Sequence, residues 1–320
     1  MQEATFIRNN NPRWKEAERF LKAKRNISPE RLATIFTQLN DDLAYARTYY
    51  PNSRTVKYLN QLTIQFHQKI NISKKYNLRR IYDFFRYHYP LLIYKNRIFL
   101  FYSFLIFALS ASIGALSAAN DQHFVRLIMG DNYVEMTLEN IKKGQPTGIY
   151  KSMEPLPMFA YITLNNIRVA FITFGAGILA ALGTGFLLLQ NGIMLGSFQY
   201  FFAQHNVLQE SAMAIWMHGA LEIFSIIVAG AAGLVLGNSL LFPGTYPRLV
   251  SLKKGAQQGV RIVFGLLPFF IIAGFIESYL TRHAQINWLS LMIIGASVLI
   301  ILGYFFIYPF ILTGKYHTQT

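Results

Sequence analysis

The stretch "AMAIWMHGALEIFSIIVAGAAGLVLGNSLL", residues 212–241, decides the fold class of this chain. It is a run of 30 mostly apolar residues, and a helix needs roughly 20 such residues to cross a bilayer. Two ionisable side chains, His218 and Glu222, interrupt it. They are four residues apart and are therefore neighbours on one helical face. The stretch predicts a membrane-spanning helix that carries a polar site.

The composition of the whole chain agrees with a membrane protein. Of its 320 residues, 53% are hydrophobic and 14% are charged. Residues 1–97 hold 19 of the 30 Lys and Arg but 7 of the 15 acids, which gives this part a net charge of +12. The sequence therefore predicts two domains: a basic cytoplasmic helical domain over 1–96 and a transmembrane helical domain over 97–320. The polar first residues indicate no cleavable signal peptide, and the absence of cysteine excludes disulfides and thiolate chemistry.

Four further runs are long and apolar enough to span a bilayer. They cover residues 98–119, 167–189, 260–280 and 288–312. A shorter candidate, "GIMLGSFQYFFAQH" (192–205), carries Gln199 and Gln204. The predicted fold class is all-α: a polytopic helical membrane protein with five to six transmembrane helices and an N-terminal cytoplasmic helical domain.

The bias of basic residues predicts how the spans are threaded. The basic segment before the first span belongs in the cytoplasm, whereas residues 120–161, with four basic and five acidic side chains, form an outer loop. The segment 242–259 contains Arg248, Lys253 and Lys254 and no acid, so it lies inside. Six spans, with both termini in the cytoplasm, satisfy these signs, provided that 192–205 crosses the bilayer outward.

The N-terminal segment has the periodicity of soluble helices. Asn11-Pro12 and Ser28-Pro29 both resemble a helix cap followed by proline at the first helical position. Apolar residues then recur at three- and four-residue spacing. They predict one buried stripe at Leu32, Ile35, Leu39, Leu43, Ala46 and either Tyr49 or Tyr50. A third helix is predicted over 55–70.

A fourth helix, "NLRRIYDFFRYHYP" (77–90), directly precedes the first span and is predicted to stop at Pro90. Its arginines, Arg79, Arg80 and Arg86, alternate with aromatic residues, which suits a helix lying among anionic lipid headgroups. Basic residues between aromatics also suit nucleic-acid binding. No recognised nucleic-acid motif supports that alternative, so membrane lipids are the predicted partner and nucleic acid is not.

Several polar side chains are predicted to converge in the outer half of the membrane. The cluster comprises Asn165, Asn166, Arg168, His218, Glu222 and Glu277. Ionisable groups at membrane depth are costly and usually face the bundle interior with partners. Three interpretations remain open: a structural network in which Arg168 neutralises an acid, a solute, proton or ion site in a cavity, and a metal site with His218, Glu222 and Glu277 as ligands.

Neither catalytic residues nor a cofactor are predicted, since the sequence contains no nucleophile-plus-base pattern, phosphate loop or dinucleotide fingerprint. Small residues at four-residue spacing predict close helix contacts. These are Gly177, Gly185, Gly192, Gly196, Gly233 and Gly237, with Gly219 beside His218. Pro268 is predicted to kink its span before Glu277.

An ordered set of motifs resembles the stage II sporulation protein M family. The motifs are "NNIRVAF", "GTGFLLLQNGIMLG", "HGALEIFSIIVAGAAGLVLG" and "IIAGFIES", and the N-terminal "FIRNNNPRWKEAERFL" looks like the start of long-form members. The resemblance implies a bacterial inner-membrane protein with a helical fold. The family's namesake acts in spore formers as a membrane scaffold for peptidoglycan-degrading proteins. The same resemblance implies functional roles for the polar cluster and for Asn191, Gly192, Gly196 and Gly219.

Three functions follow from these observations. The favoured one is a non-enzymatic membrane scaffold that recruits other envelope proteins, with a possible homo-oligomer. The alternatives are a transporter or channel component with an outward-facing polar cavity, and a metal-dependent membrane enzyme.

Overall fold

A computed structural model describes residues 2–22, 29–72, 78–146, 148, 153–284 and 287–317. Throughout these ranges the chain forms helices joined by turns and no strand, which confirms the all-α fold class. The chain divides into two compact units, an N-terminal unit of residues 1–81 and a bundle of residues 82–320. The predicted cap at Ser28 lies outside the described residues.

The core of the N-terminal unit is built from three helices: α1 (Glu3–Lys22), α2 (Pro29–Tyr49) and α3 (Arg54–Ile72). Each helix buries one apolar stripe in a shared core. The core residues are Phe6, Trp14, Ala17, Ile35, Leu39, Leu43, Ala46, Leu59, Leu62 and Phe66. The predicted stripe of α2 is confirmed from Leu32 to Ala46, where its members are all buried. Its last position is taken by Tyr50, which packs half-buried against the core, whereas Tyr49 is exposed.

The predicted helix start at Asn11-Pro12 is wrong, since α1 begins at Glu3 and continues through Pro12. A proline inside a helix removes one backbone hydrogen bond. Phe6, before the proline, and Trp14, after it, are both buried and stack edge to face with ring centroids 5.7 Å apart. Burial on both sides of Pro12 holds the two parts of the helix to the same core.

Pro90 also fails to end its helix. Helix α4 (Leu78–Asp83) passes through a π-helical turn (Phe84–His88) directly into α5 (Tyr89–Lys95), in which Pro90 occupies the first turn. A π-helical turn widens the backbone, so that the proline ring is accommodated without a break. Tyr89 is fully buried in the bundle core, and its hydroxyl donates to Ile262 O over 3.2 Å.

Within the described ranges, the bundle contains six long helical segments. They are α6 (Arg97–Asn120), α9 (Pro155–Gly175), α10 (Leu182–Gln204), α11 (Leu208–Leu241), the segment Arg248–His283 and the segment from Asn287 to His317. Four of these contain stretches that are long and apolar enough to cross a membrane: Arg97–Asn120, Leu208–Leu241, Arg248–His283 and Asn287–Gly314. The count of five to six spans stays a prediction. Between α6 and α9, two short helices, α7 (Gln122–Met129) and α8 (Asp131–Lys142), occupy the predicted outer loop.

The predicted span at 167–189 is wrong, because the chain turns in its middle. Helix α9 ends at Gly175, and α10 begins at Leu182 after a short 3-10 turn. Ala180 and Ala181 adopt positive φ angles of 52° and 67°, a left-handed conformation that reverses the chain. The candidate 192–205 is consequently the second half of α10, a helix of 23 residues.

Contacts between helices fix their directions. Ser197 Oγ donates to Gly114 O over 3.2 Å and Gly192 faces Phe107, so α6 and α10 run parallel. Ala118 shares a cluster with Ile215, whereas Ser103 Oγ donates to Ile227 O over 2.6 Å, which makes α11 antiparallel to α6. The long segments therefore alternate between the end of the bundle that carries α7 and α8 and the opposite end.

The segment from Arg248 to His283 is divided into α12 (Arg248–Gly265), α13 (Leu267–Phe275), a π-helical turn (Ile276–Leu280) and a 3-10 turn (Thr281–His283). Its break at Leu266 precedes Pro268, in agreement with the predicted kink. The last segment likewise contains α14 (Asn287–Ile300), a π-helical stretch (Ile301–Ile307) and α15 (Tyr308–His317).

Helix α11 is the centre of the bundle. It contacts α6, α9, α10, α12, α13 and α14 and is buried on every side along most of its length. A helix that is apolar all round belongs in such a position. At 1.5 Å per residue, its 34 residues extend about 51 Å, so α11 carries a side chain at almost every depth of the bundle.

Small residues let the helices around α11 approach closely. A side chain on Gly196 would collide with the backbone of Ala111, and one on Gly177 with the backbone of Gly233. Gly192, Gly233 and Gly237 are packed in the same way. The packing prediction is wrong for Gly185, because a side chain there would meet no atom within 4 Å. The chain turns between Gly177 and Gly185, so the two glycines do not belong to one helix.

Candidate polar cavity

A cavity of about 590 Å³ lies among α6, α7, α8, α9, α10, α11 and the π-helical turn at Ile276–Leu280. Its apolar lining comes mainly from Phe107, Met129, Phe198 and Ile223. Its polar lining consists of Tyr133, Asn165, Asn166, Asn191, His218, Glu222 and Glu277. A largely apolar hollow with a few convergent polar groups is the usual form of a small-ligand site.

Helix α11 places two of the predicted residues in this cavity. His218 is 5% exposed, and Glu222 follows one helical turn later on the same face. Gly219 also lines the cavity, and a side chain there would touch only Ile215 and Ile223 of its own helix. The predicted role of Gly219 in helix packing is therefore wrong, since this glycine leaves open space beside His218.

The end of the segment Arg248–His283 brings two further groups to His218. Glu277 lies in the π-helical turn, and Thr281 follows four residues later at the start of the 3-10 turn. His218 Nε2 lies 3.8 Å from Glu277 Oε1, and His218 Nδ1 lies 3.2 Å from Thr281 Oγ1. π-helical turns are rare and often occur at functional sites, and this one turns Glu277 toward the histidine.

Helix α9 supplies Asn166 but not Arg168. Asn166 is 6% exposed and its side chain lies against Glu222. Arg168 is exposed, and no ion pair joins it to an acid among the described residues. Two residues along a helix correspond to a rotation of about 200°, so Asn166 and Arg168 point to opposite sides. The hypothesis that Arg168 neutralises Glu222 or Glu277 is therefore wrong.

The remaining predicted residue of the cluster, Asn165, lines the edge of the cavity and is exposed. Asn191 reaches the cavity from α10, and its side-chain amide donates to Leu187 O of its own helix over 2.8 Å. The structure thus brings His218, Glu222, Glu277 and Asn166 together, places Asn165 and Asn191 around them, and leaves Arg168 outside.

Two residues of the site were not predicted from the sequence. Thr281 is four residues after Glu277 and shares its helical face, a signal that spacing alone contains. Tyr133 comes from α8, and burial raises the pKa of its phenol to about 12, with the nearby charge of Glu277 adding to the effect. The phenol therefore stays protonated at neutral pH. No local pattern connects α8 with α11, so only the tertiary structure reveals Tyr133.

One atom each from His218, Glu222 and Glu277 forms a group within 4.8 Å of one another. A neutral imidazole and two carboxylates are ligands that divalent metals accept. These three residues were the predicted metal candidates, and their convergence makes an ion site geometrically feasible.

The predicted lipid-interface arginines lie outside the cavity. Arg79 and Arg80 are exposed in the N-terminal unit. In the bundle, the exposed Arg86 lies over the rings of Tyr82 and Tyr87, 5.5 and 5.3 Å from their centroids. Their contact with lipid headgroups stays a prediction.

Comparison with known proteins gives two matches to family models. The model of stage II sporulation protein M matches residues 103–282, more than half of the 320-residue chain and every polar residue of the cavity. A separate model, described as a domain of unknown function, matches residues 4–71. Neither a curated protein nor a solved structure gives a significant match.

Proposed function

The chain belongs to the stage II sporulation protein M family, and from this premise we propose that it is a non-enzymatic scaffold in the bacterial inner membrane. In this role it recruits other envelope proteins during cell-envelope remodelling. One observation carries the proposal: a separately cored unit of three helices precedes the family bundle and lies outside the family match. A folded module on a membrane anchor is the arrangement that a recruiting protein needs.

The surface of the N-terminal unit supports binding at an anionic membrane surface. Arg8, Lys15 and Arg19 of α1 are exposed and lie on one helical face, at spacings of seven and four residues. No ion pair involves them among the described residues. Each basic residue near an anionic leaflet contributes about 1 kcal/mol of attraction. These three, with Arg79, Arg80 and Arg86, give the proposal its lipid partner.

The distribution of charge in the bundle supports a cytoplasmic position for the end opposite α7 and α8. Gln258 Nε2 donates to Asn96 Oδ1 over 3.2 Å, which brings the start of α6 and helix α12 to the same end. Basic residues of this end are Lys95, Arg97, Arg248, Lys253 and Lys254. The other end carries the acids of α8, so the positive-inside rule favours this orientation. The polar cavity then lies toward the outer face.

The proposal predicts that recruitment depends on the folded N-terminal unit and not on the cavity. We would purify the tagged full-length chain from native membranes in mild detergent and identify retained proteins by mass spectrometry. Phe66→Ala opens the core of the N-terminal unit, and Ile64→Ala, an exposed neighbour on α3, is its matched control. Envelope proteins retained by the wild type, Ile64→Ala and Glu222→Gln but lost from Phe66→Ala would support the scaffold.

A transporter or channel component is the second candidate, and the cavity of about 590 Å³ with ionisable lining favours it. A chain that purifies alone, or only as a homo-oligomer, would contradict recruitment. Glu222→Gln could then also abolish function in cells while the protein remains folded and monodisperse. That result would show that function depends on the cavity and not on the N-terminal unit.

A further inference from the structure

We propose that His218, Glu222 and Glu277 bind a divalent transition-metal ion, with zinc as the representative ion. The ligand atoms of these three residues already lie within 4.8 Å of one another. Zinc binds imidazole nitrogen at about 2.0–2.1 Å and carboxylate oxygen at about 2.0–2.2 Å. Tetrahedral ligands at those bond lengths are separated by about 3.4 Å. Rotation of the two glutamate side chains closes the remaining difference.

The hydrogen bonds of Thr281 orient the histidine for this role. Thr281 Oγ1 donates to Ile276 O over 3.2 Å, which uses the one hydroxyl proton. The hydroxyl oxygen must then accept from His218 Nδ1, so this nitrogen carries the ring proton. The neutral ring directs its Nε2 lone pair toward Glu277. A metal-binding histidine is held in this way, with one nitrogen hydrogen-bonded and the other presented to the ion.

A buried amide gives an independent sign of a ligand. Asn166 is 6% exposed and lines the same cavity beside Glu222. Its Nδ2 atom is fully buried, and no described residue accepts from it with good hydrogen-bond geometry, although the side chain approaches Glu222. A buried unsatisfied donor costs about 1–3 kcal/mol. A water or other ligand on the fourth position of the metal would accept from this amide and remove that cost.

The pair of buried acids in the cavity also suits a cation. Two carboxylates face one another beside a neutral imidazole, and the cavity lining contains neither lysine nor arginine among the described residues. A buried charge is tolerated when it is paired or coordinates a metal. A dication balances both carboxylates, and the mixed nitrogen and oxygen ligands favour zinc, manganese or iron over the all-oxygen sites of magnesium and calcium.

Zinc binding to the purified full-length chain tests the proposal. The protein, purified through a tag without histidine and treated with chelator, is titrated with ZnCl₂ in detergent and the retained metal is counted after gel filtration. We expect one zinc ion per chain. Loss of a ligand in Glu277→Gln or His218→Gln should weaken binding by more than about 100-fold, because removal of a residue that only orients a ligand costs about 10- to 100-fold. Thr281→Val should fall within that lower range.

Glu210→Gln is the matched control, since Glu210 is an exposed acid on the same helix α11. Its zinc affinity should equal that of the wild type. Cobalt gives a second measurement that does not depend on the variants, because a tetrahedral Co²⁺ site in the wild type produces visible absorption bands that zinc removes. Zinc retention by Glu277→Gln equal to that of the wild type, or a wild type that binds neither metal, would overturn the proposal.

Discussion

The N-terminal unit and the bundle both bury carboxylates, but only the first neutralises its acid with its own side chains. Asp42 of α2 accepts a hydrogen bond from Trp14 Nε1 over 2.8 Å and lies 3.3 Å from Arg13 Nη2. Glu222 and Glu277 meet a neutral histidine and an amide instead. Under the zinc proposal, the bundle takes from outside the chain the cation that Arg13 supplies to Asp42 in the N-terminal unit.

The two regions also differ in how their helices pack. Large aromatic side chains such as Trp14 and Phe66 fill the core of the N-terminal unit. Around α11 the contacts depend on glycine, alanine and serine, which bring helix backbones together. In water, burial of large apolar groups drives packing, whereas in lipid close van der Waals contact and interhelical hydrogen bonds replace that force. The bundle core also buries aromatic residues such as Phe270 and Phe305, so its close glycine contacts, and not a lack of large side chains, distinguish it from the N-terminal unit.

The largest expected effect is that of Phe66→Ala. Truncation of a fully buried phenylalanine should cost about 3–5 kcal/mol of the unfolding free energy, since Phe66 is fully enclosed in the core. Hydrogen exchange of the full-length chain in detergent should show faster exchange across α1, α2 and α3 and unchanged exchange in α11. Ile64→Ala, at an exposed position, should stay within about 0.5 kcal/mol. Equal loss of protection in α11 would show that the two regions do not unfold separately.

Gly196→Leu should have the next largest effect and should act on the bundle alone. The new side chain would collide with the backbone of Ala111 and force α6 and α10 apart. Overpacking of this kind costs about 3 kcal/mol at the upper end of its range. The temperature at which half of the protein remains monodisperse after heating should fall clearly. Gly185→Leu faces open space and should leave that temperature unchanged; an equal fall for both variants would contradict the assigned contact.

Zinc should stabilise the bundle and not the N-terminal unit. An ion that binds only the native state adds about 2.7 kcal/mol at a free concentration 100 times its Kd. The thermal unfolding of the wild type should therefore shift upward with zinc and return with chelator, and Glu277→Gln should remove the shift. Hydrogen exchange in α2 should not respond. Stabilisation of Glu277→Gln as large as that of the wild type would assign the zinc effect to another site.

The smallest effect should come from Asp42→Asn. The asparagine oxygen can still accept from Trp14 Nε1, so the variant loses mainly the ion pair with the half-exposed Arg13. Such a pair contributes about 0.2–1 kcal/mol. Asp42→Ala should cost more, about 1–3 kcal/mol, because it leaves the buried indole N–H without an acceptor. Denaturant unfolding followed by Trp14 fluorescence measures both, and equal costs would contradict a dominant role for the indole hydrogen bond.

The spacing of residues along the chain was sufficient to predict much of the fold. The stripe from Leu32 to Ala46 and the face shared by His218 and Glu222 follow from spacing alone, and both are present in the structure. The alternating directions of the predicted spans also placed Glu277 at the same membrane depth as His218 and Glu222. These features depend on the geometry of single helices, which the sequence encodes locally.

The errors have equally local causes. The turn at Ala180 and Ala181 lies inside an unbroken apolar run, so hydropathy could not distinguish a turn from a continuous span. Pro12 and Pro90 are normally signs of helix boundaries, but burial on both sides of Pro12 and the π-helical turn before Pro90 override that preference. A helical projection of α9 would have separated Arg168 from Asn166, whereas the approach of Tyr133 requires the tertiary structure.

The hydrogen bond between His218 and Thr281 joins residues 63 positions apart in the chain, and this separation sets an order of events during synthesis. Ribosomes add roughly 5–20 residues per second, so α11 waits about 3–13 s before Glu277 and Thr281 have been made. In that interval the insertion machinery or the helices already in place must keep the side chains of His218 and Glu222 away from lipid. Under the zinc proposal, metal loading is consequently a late step of biogenesis, completed only after the penultimate long segment of the bundle has been inserted.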